Sequence, residues 1–172
     1  MKKGYVQVYT GDGKGKTTAA LGLALRAAGA KLKVYIGQFM KTGTYSEVRA
    51  LKRFSDLITI EQYGTGKFVK GAPAIEDIQA ARSGLEKVRG AMESCQYGLI
   101  ILEEANVAVN FGLLSVEELL NLITDKPEAV EIVITGRGAR PEIIRRADLV
   151  TEMKNVKHYF DQGVTARTGI EK

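Results

Sequence analysis

The chain has 172 residues, of which 45% are hydrophobic, and a formal net charge of +5. This length suits one domain over residues 1–172 with a buried core, and no apolar run approaches the length of a membrane span. The positive charge favours an anionic ligand, but the basic residues are scattered and no zinc-finger spacing or RNA-binding aromatic motif occurs, so we expect no nucleic-acid and no membrane partner.

Apolar runs alternate with helical patterns along the chain, which is typical of βαβ units and a mostly parallel sheet. The predicted strands cover residues 5–9, 34–39, 58–63, 99–102, 131–135 and 149–151. The predicted helices cover residues 16–28, 45–54 and 75–94, one that begins at the capping box 115–118, and one over 141–147. We therefore predict an α/β fold with a central sheet of about six strands flanked by helices.

A glycine-rich segment, Thr-Gly-Asp-Gly-Lys-Gly-Lys-Thr at 10–17, joins the first strand to the first helix. Its glycines let the backbone turn inward, so that N–H groups and the helix N-terminus point at an anion. Lys16 adds a charge, and Thr17 offers a hydroxyl to Mg²⁺. We interpret the segment as a phosphate-binding loop (P-loop), which predicts a single-domain P-loop fold of the RecA-like kind. Such loops usually begin with glycine, whereas this one begins with Thr10.

Polar segments, several of them glycine-bearing, end or follow five of the predicted strands, at 10–17, 38–41, 63–67, 103–106 and 136–138. Because the carboxyl ends of parallel strands lie along one edge of a sheet, one ligand can meet all of these segments. The predicted nucleotide-binding residues are Thr10, Gly11, Asp12, Gly13, Lys14, Gly15, Lys16, Thr17, Thr18 and Lys41. Lys14 points either to phosphate or to solvent, and the residues do not decide between the two.

Two acids, Glu103 and Glu104, directly follow the apolar run 99–102, as in a Walker B strand. Mg²⁺ prefers carboxylate, hydroxyl, phosphate and water oxygens. Because side chains alternate along a strand, only one of the two glutamates points inward. We predict Thr17 and Glu104 as the Mg²⁺ ligands and Glu103 as their neighbour.

Arg137 lies between two glycines after the fifth strand. The planar guanidinium group binds two phosphate oxygens at once, so we predict that Arg137 contacts phosphate. Lys16, Glu104 and Arg137 are the predicted catalytic residues. A Ser-His-Asp set, an activated cysteine and a histidine cluster are all missing from the sequence. The attacking group must therefore be water, a second substrate or a cofactor.

Two further predictions concern residues outside these motifs. Cys95, the only cysteine, lies at an apolar position of a predicted helix and should be buried. A lone cysteine without a visible export signal favours a cytoplasmic location. The glycine-rich segment 62–74, which contains Lys67, Phe68 and Lys70, is either a binding loop or a surface excursion.

The segments 11–29, 38–41 and 102–106 match one family together with Thr-Gly-Arg-Gly at 135–138, Ala-Asp-Leu-Val-Thr-Glu-Met at 147–153 and the ending segments 156–158 and 162–171. Over nearly its whole length the chain resembles the ATP:corrinoid adenosyltransferases of the P-loop type, which act on cob(I)alamin and cob(I)yrinic acid a,c-diamide. The late segments are the most specific part of this resemblance. Members commonly show Asp-Glu where this chain has Glu103-Glu104.

The resemblance implies a transferase of cobalamin biosynthesis or salvage whose substrates are ATP and a reduced corrinoid. In this family Co(I) attacks C5′ of the ATP ribose, the adenosyl group moves to cobalt, and triphosphate leaves. ATP is bound in reverse relative to ordinary P-loop enzymes, with the γ-phosphate deepest in the loop. A homodimer and a reductase or flavoprotein that supplies Co(I) are further implied partners. Tyr45, Phe68 and residues near Phe111 are the candidates for corrinoid contacts.

Two alternatives stay open at this point. The first is a phosphotransferase or ATPase, similar to a small nucleoside kinase, which would release ADP instead of triphosphate. The second is a non-catalytic ATP-binding regulator or nucleic-acid-binding module, which would bind ATP without turnover.

Overall fold

Six parallel strands form the central sheet in a computed structural model that describes residues 2–66, 69 and 71–171. The strands are β1 (Val6–Thr10), β2 (Val34–Phe39), β3 (Ile58–Tyr63), β4 (Leu99–Glu103), β5 (Glu131–Thr135) and β6 (Leu149–Glu152). Their order across the sheet is β3-β2-β4-β5-β1-β6, and every neighbouring pair is parallel. The predicted α/β fold is confirmed, and β1, β4 and β6 each end one residue later than predicted. The assignment of residues 1–172 to one domain stays a prediction.

The helices of the described residues connect these strands. They are α1 (Lys16–Gly29), α2 (Ser46–Leu51), α3 (Ile75–Glu93), α4 (Ala105–Asn110), α5 (Val116–Thr124) and α6 (Pro141–Arg146). Short 3₁₀ turns follow at Lys52–Phe54 and Tyr159–Gln162. The predicted capping box is present at the start of α5, where the Ser115 hydroxyl accepts a hydrogen bond from the Glu118 N–H at 3.0 Å.

The hydrophobic core lies on both faces of the sheet. On one face, alanines of α1 such as Ala20 and Ala24 pack against Ile101 and Val133. On the other face, the longer side chains of α3 and α5 pack against the residues that alternate with these in the strands. This alternation follows from the two-residue period of a strand, and the small α1 side chains let that helix lie close to the sheet. Because α1 packs closely on the sheet, the P-loop that precedes its N-terminus is held in place.

The prediction for Cys95 is wrong. Helix α3 ends at Glu93, and Cys95 follows it in an exposed turn with a left-handed φ of +53°. The helical period that placed this thiol among apolar positions stops before it.

Helix α4 was not predicted. It has six residues, it carries no side-chain cap, and its first turn contains no acidic residue. Nothing in the local sequence therefore signals its start.

None of the helices in the described part of the chain combines the length and the apolar character that crossing a bilayer requires.

Candidate active site

The P-loop joins β1 to α1, and its backbone conformation requires glycine. Gly11 and Gly15 have φ values of +91° and +120°, which side-chain-bearing residues rarely adopt. A Cβ atom on Gly13 would lie 2.7 Å from the carbonyl oxygen of Met153. The Gly13 N–H donates to that same carbonyl at 2.7 Å. The chain that follows β6 is thus packed directly on the outside of the loop.

Lys16 is held inside the loop. The residue is 7% exposed, and its ammonium group donates to the carbonyls of Gly11 and Gly13, each at 2.6 Å. Burial, and then the charge of Arg137, lowers the pKa of Lys16 below its ordinary value. The two hydrogen bonds hold the Lys16 ammonium group at the centre of the loop, where it would meet a phosphate chain.

Glu103 is the centre of a buried network that joins four elements. Its carboxylate accepts a hydrogen bond from the Thr17 hydroxyl at 2.7 Å and pairs with the Lys41 ammonium group at 2.5 Å. Its other oxygen accepts from the Gln38 amide, and Gln38 in turn accepts from Gln62 at 2.9 Å. Although burial acts to lower it, the pKa of Lys41 is raised by the charge of Glu103. The predicted site residues Thr17 and Lys41 are thereby brought together.

Glu104 behaves differently from its neighbour. It is only partly buried, and its backbone is left-handed, with φ +60° and ψ +15°, immediately before α4. Its backbone N–H donates to the Thr135 hydroxyl at 3.1 Å. Burial and the adjacent charge of Glu103 raise the pKa of Glu104. The choice of Glu104 over Glu103 as metal ligand stays a prediction.

The loop that carries Arg137 is attached to the P-loop through Thr10. The Thr10 hydroxyl accepts a hydrogen bond from the Ala139 N–H at 3.1 Å, and Thr10 itself is 7% exposed. This contact gives a structural reason for threonine at a position where such loops usually begin with glycine. Arg137 is exposed and close enough to influence the charge of Lys16 and of Glu104.

A cleft of about 720 Å³ lies beside the P-loop. Its floor is formed by residues 14–18, one wall by the exposed side of α1 and another by Tyr45 and α2. The C-terminal turn 169–171 closes it, and the Lys14 ammonium group donates to the Ile170 carbonyl at 3.0 Å. Lys14 therefore contacts the C-terminal turn in this structure. Asp12 and Thr18 are exposed at the rim of the loop.

The candidates for corrinoid contacts are scattered. Tyr45 lines the cleft, with Lys41 over its ring at 5.3 Å, and Phe111 is 39% exposed at the end of α4. Phe68, Lys67 and Lys70 lie outside the described residues. The corrinoid contacts therefore stay predictions.

Four amide side chains at this edge were not predicted as site residues. They are Gln38, Gln62, Asn106 and Asn110. Gln38 lies opposite both Glu103 and Gln62 in the parallel ladders, so the three form one row across adjacent strands. The two glutamines could have been predicted from the sequence, because each is a polar residue near the end of an otherwise apolar strand.

The oxygen atoms at this edge suit Mg²⁺. Thr17, Glu103 and Glu104 offer a hydroxyl and two carboxylates, which are the hard ligands that Mg²⁺ prefers. Within the described residues, no group of three or more His, Cys, Asp or Glu side chains forms a cage for a metal ion. Mg²⁺ is usually held in proteins by one or two carboxylates together with phosphate and water.

The fold resembles that of a KaiC-like protein from Pyrococcus horikoshii OT3. The TM-score is 0.55 at 19% sequence identity, with 87% of this chain and 73% of that chain covered. A likeness at this identity shows the fold alone, and it supports the predicted P-loop fold.

The sequence identifies the family. Residues 2–171 match the family model of the ATP:corrinoid adenosyltransferases BtuR/CobO/CobP. The chain is 34% identical to a corrinoid adenosyltransferase of Pseudomonas aeruginosa, over 99% of this chain and 84% of that protein. It is 33% identical to the corrinoid adenosyltransferase of Escherichia coli K12, over 99% and 86% of the two chains. The chain therefore belongs to the ATP:corrinoid adenosyltransferase family of transferases, which confirms the resemblance seen in its sequence.

Proposed function

We propose that this enzyme transfers the 5′-deoxyadenosyl group of ATP to the Co(I) centre of a corrinoid and releases triphosphate. The observation that carries the proposal is the joining of the P-loop to the end of β4 through Thr17 and Glu103. Within the family identified above, that arrangement provides a grip on the triphosphate of ATP. The described residues offer no activated cysteine beside it, since Cys95 lies in an exposed turn after α3.

The proposed reaction supplies its own nucleophile. The electron pair of Co(I) forms the new bond to C5′ of the ribose, while the bond between C5′ and its oxygen breaks and its electrons leave with the triphosphate. The protein must then hold C5′ over the cobalt and stabilise the charge that develops on the departing oxygen. The protein needs no covalent intermediate of its own.

Lys16 and Arg137 are the proposed catalytic residues for the leaving group. Both are positively charged, and the charge of Arg137, after burial, lowers the pKa of Lys16. Two cations held close together are costly in the free protein and favourable around a polyanion. We further propose that ATP is bound in reverse, with its γ-phosphate deepest in the loop, so that the ribose faces the corrinoid.

For Mg²⁺, we propose Thr17 and Glu104 as the protein ligands. When bound, the ion neutralises charge on the phosphate oxygens. The Lys41 ammonium group already neutralises Glu103, whereas no hydrogen-bond donor from the described residues is assigned to the Glu104 carboxylate. Glu104 therefore keeps lone pairs for a metal ion, and Glu103 orients the Thr17 hydroxyl.

The experiment that tests the function is an anaerobic incubation with Mg·ATP and chemically reduced corrinoid. We expect the absorption spectrum to change as the cobalt–carbon bond forms, with one triphosphate released for each corrinoid alkylated. Release of ADP and phosphate with unaltered corrinoid would instead identify a phosphotransferase or ATPase. ATP binding without any product would identify a regulator.

Three properties of the enzyme in the cell are part of the proposal. A reductase or flavoprotein supplies the electrons for Co(I), as the resemblance to the family implies. The enzyme is a homodimer in the cytoplasm. Light scattering of the purified chain tests the dimer, and cell fractionation tests the location.

A further inference from the structure

Helix α4 (Ala105–Asn110) lies against the loop 136–138, which carries Arg137. Two asparagines one helical turn apart, Asn106 and Asn110, point their amide groups at that loop. The Asn106 amide donates to the Gly136 carbonyl at 3.4 Å. The Asn110 amide donates to the carbonyls of Arg137 and Gly138, each at 3.0 Å. Three consecutive carbonyls are thus held by one helix.

Glycine is required on both sides of Arg137, where the loop approaches α4. Gly136 and Gly138 have φ values of +131° and +64°. A Cβ atom on Gly136 would lie 3.0 Å from the Asn106 Cβ, and one on Gly138 would lie 2.6 Å from the Asn110 amide nitrogen. The close approach of the loop to α4 therefore depends on both glycines.

The buried amide of Asn106 lowers the stability of the fold. It is 0% exposed, and its side-chain oxygen has no hydrogen-bond partner among the described residues. An unpaired buried acceptor destabilises a fold, so an apolar residue of similar size would be the better choice for packing alone. The presence of an amide here indicates that its N–H group is needed, and that group donates to the Arg137 loop.

From these contacts we infer that Asn106 and Asn110 are positioning residues, which fix the loop 136–138 so that the Arg137 guanidinium meets the phosphate chain of ATP. The opposite end of the loop is held by Thr10 of the P-loop, through the Ala139 N–H. The loop is therefore tied to α4 on one side and to the phosphate cradle on the other. This inference rests on the proposed role of Arg137 as a phosphate ligand.

A double-mutant cycle between Asn110 and Arg137 tests the inference, because Asn110 is exposed and its replacement should leave the fold intact. The measured quantity is the Kd of Mg·tripolyphosphate, determined by calorimetry at constant excess Mg²⁺. Asn110→Ala should raise this Kd about tenfold, since two hydrogen bonds to the loop are lost. In the Arg137→Ala background the same change should alter the Kd less than about twofold.

Two further variants separate positioning from general damage. Asn110→Asp keeps the size of the side chain but cannot donate, and it should weaken binding at least as much as Asn110→Ala. Asn121→Ala replaces an exposed asparagine of α5 whose side chain makes no hydrogen bond with the described part of the chain, and it should leave the Kd unchanged. In the Asn110 variants, the KM for ATP should rise while the KM for corrinoid stays the same.

The inference would be overturned if Asn110→Ala weakened tripolyphosphate binding equally in both backgrounds, or if it did not weaken binding in the wild-type background. The corrinoid alkylation assay keeps this outcome apart from failure of the proposed function. If wild-type enzyme alkylates corrinoid while the cycle shows no coupling, only the positioning role is wrong. If the cycle shows coupling while no variant alkylates corrinoid, the asparagines position a phosphate ligand in an enzyme of different activity.

Discussion

Thr17 and Glu103 are joined by a hydrogen bond of 2.7 Å, although 86 residues separate them in the chain. The bond connects the first turn of α1 to the end of β4, so the helix that follows the P-loop is tied directly to the acidic pair. The same carboxylate carries the partly buried ion pair with Lys41. Neutralising Glu103 should therefore affect the protein differently from neutralising Glu104.

Replacing each glutamate by glutamine separates structure from metal binding. Glu104→Gln should raise the Mg²⁺ concentration for half-maximal activity by about tenfold or more, because it removes a charged ligand. Glu103→Gln should instead destabilise the fold by about 1–2 kcal/mol, since it leaves the partly buried Lys41 without its charged partner. Mg²⁺ titrations of activity and urea unfolding of both variants measure the two effects. A larger Mg²⁺ effect in Glu103→Gln would make Glu103 the ligand.

Lys16 and Lys14 form a matched pair in one loop. Lys16→Ala removes the charge that is held at the centre of the P-loop and should lower kcat/KM by about 100- to 1000-fold. Lys14→Ala should lower kcat/KM less than Lys16→Ala, because the Lys14 side chain is exposed and its ammonium group donates to the Ile170 carbonyl. Steady-state rates of corrinoid alkylation measure both. Near-normal turnover in Lys16→Ala would contradict the role proposed for the loop.

The fold was predictable from the sequence because its signals are local. Buried parallel strands appear as short apolar runs, and the P-loop combines a strand, glycines and a helix start in one contiguous segment. The ends of most strands were therefore placed to within one residue. The capping box at Ser115 was visible for the same reason, since both of its hydrogen bonds lie within four residues.

The carboxylate pair shows where such reasoning fails. Alternation along a strand predicts opposite directions for Glu103 and Glu104, but the strand ends at Glu103 and the backbone of Glu104 turns left-handed. The alternation of the strand therefore no longer sets the direction of the Glu104 side chain. That backbone change depends on contacts distant in sequence, such as the bond from Glu104 to Thr135, which no local pattern reveals. The asparagines of α4 were missed for the same reason.

Replacing two glycines of α3 by alanine, one at a time, should change the stability of the fold in opposite directions. A Cβ atom on Gly84 would lie 2.3 Å from the ring of Tyr63, whereas one on Gly90 would have no neighbour within 4 Å. Gly84→Ala should destabilise the fold by about 1–3 kcal/mol through overpacking. Gly90→Ala should stabilise it by up to about 1 kcal/mol, because alanine favours the helix. Thermal and urea unfolding measure both, and stabilisation by Gly84→Ala would contradict the packing of Tyr63 on α3.

The buried hydrogen bond between the Tyr35 and Tyr63 hydroxyls should make stability depend on alkaline pH. Burial raises the pKa of both phenols, that of Tyr63 to about 12. Because the folded state holds these protons more tightly than the unfolded state, the contribution is complete below about pH 10 and is lost as the pH rises toward 12.

Urea unfolding at about pH 8 and about pH 11 tests this dependence. The double variant Tyr35→Phe/Tyr63→Phe should lose less stability than the wild type between the two pH values, since it has no buried phenol to ionise. At the lower pH the two proteins should differ little, because both partners of the bond are removed together. Tyr5→Phe, at a site that is 46% exposed, should follow the wild type. Equal losses in the wild type and the double variant would show that the alkaline dependence arises elsewhere.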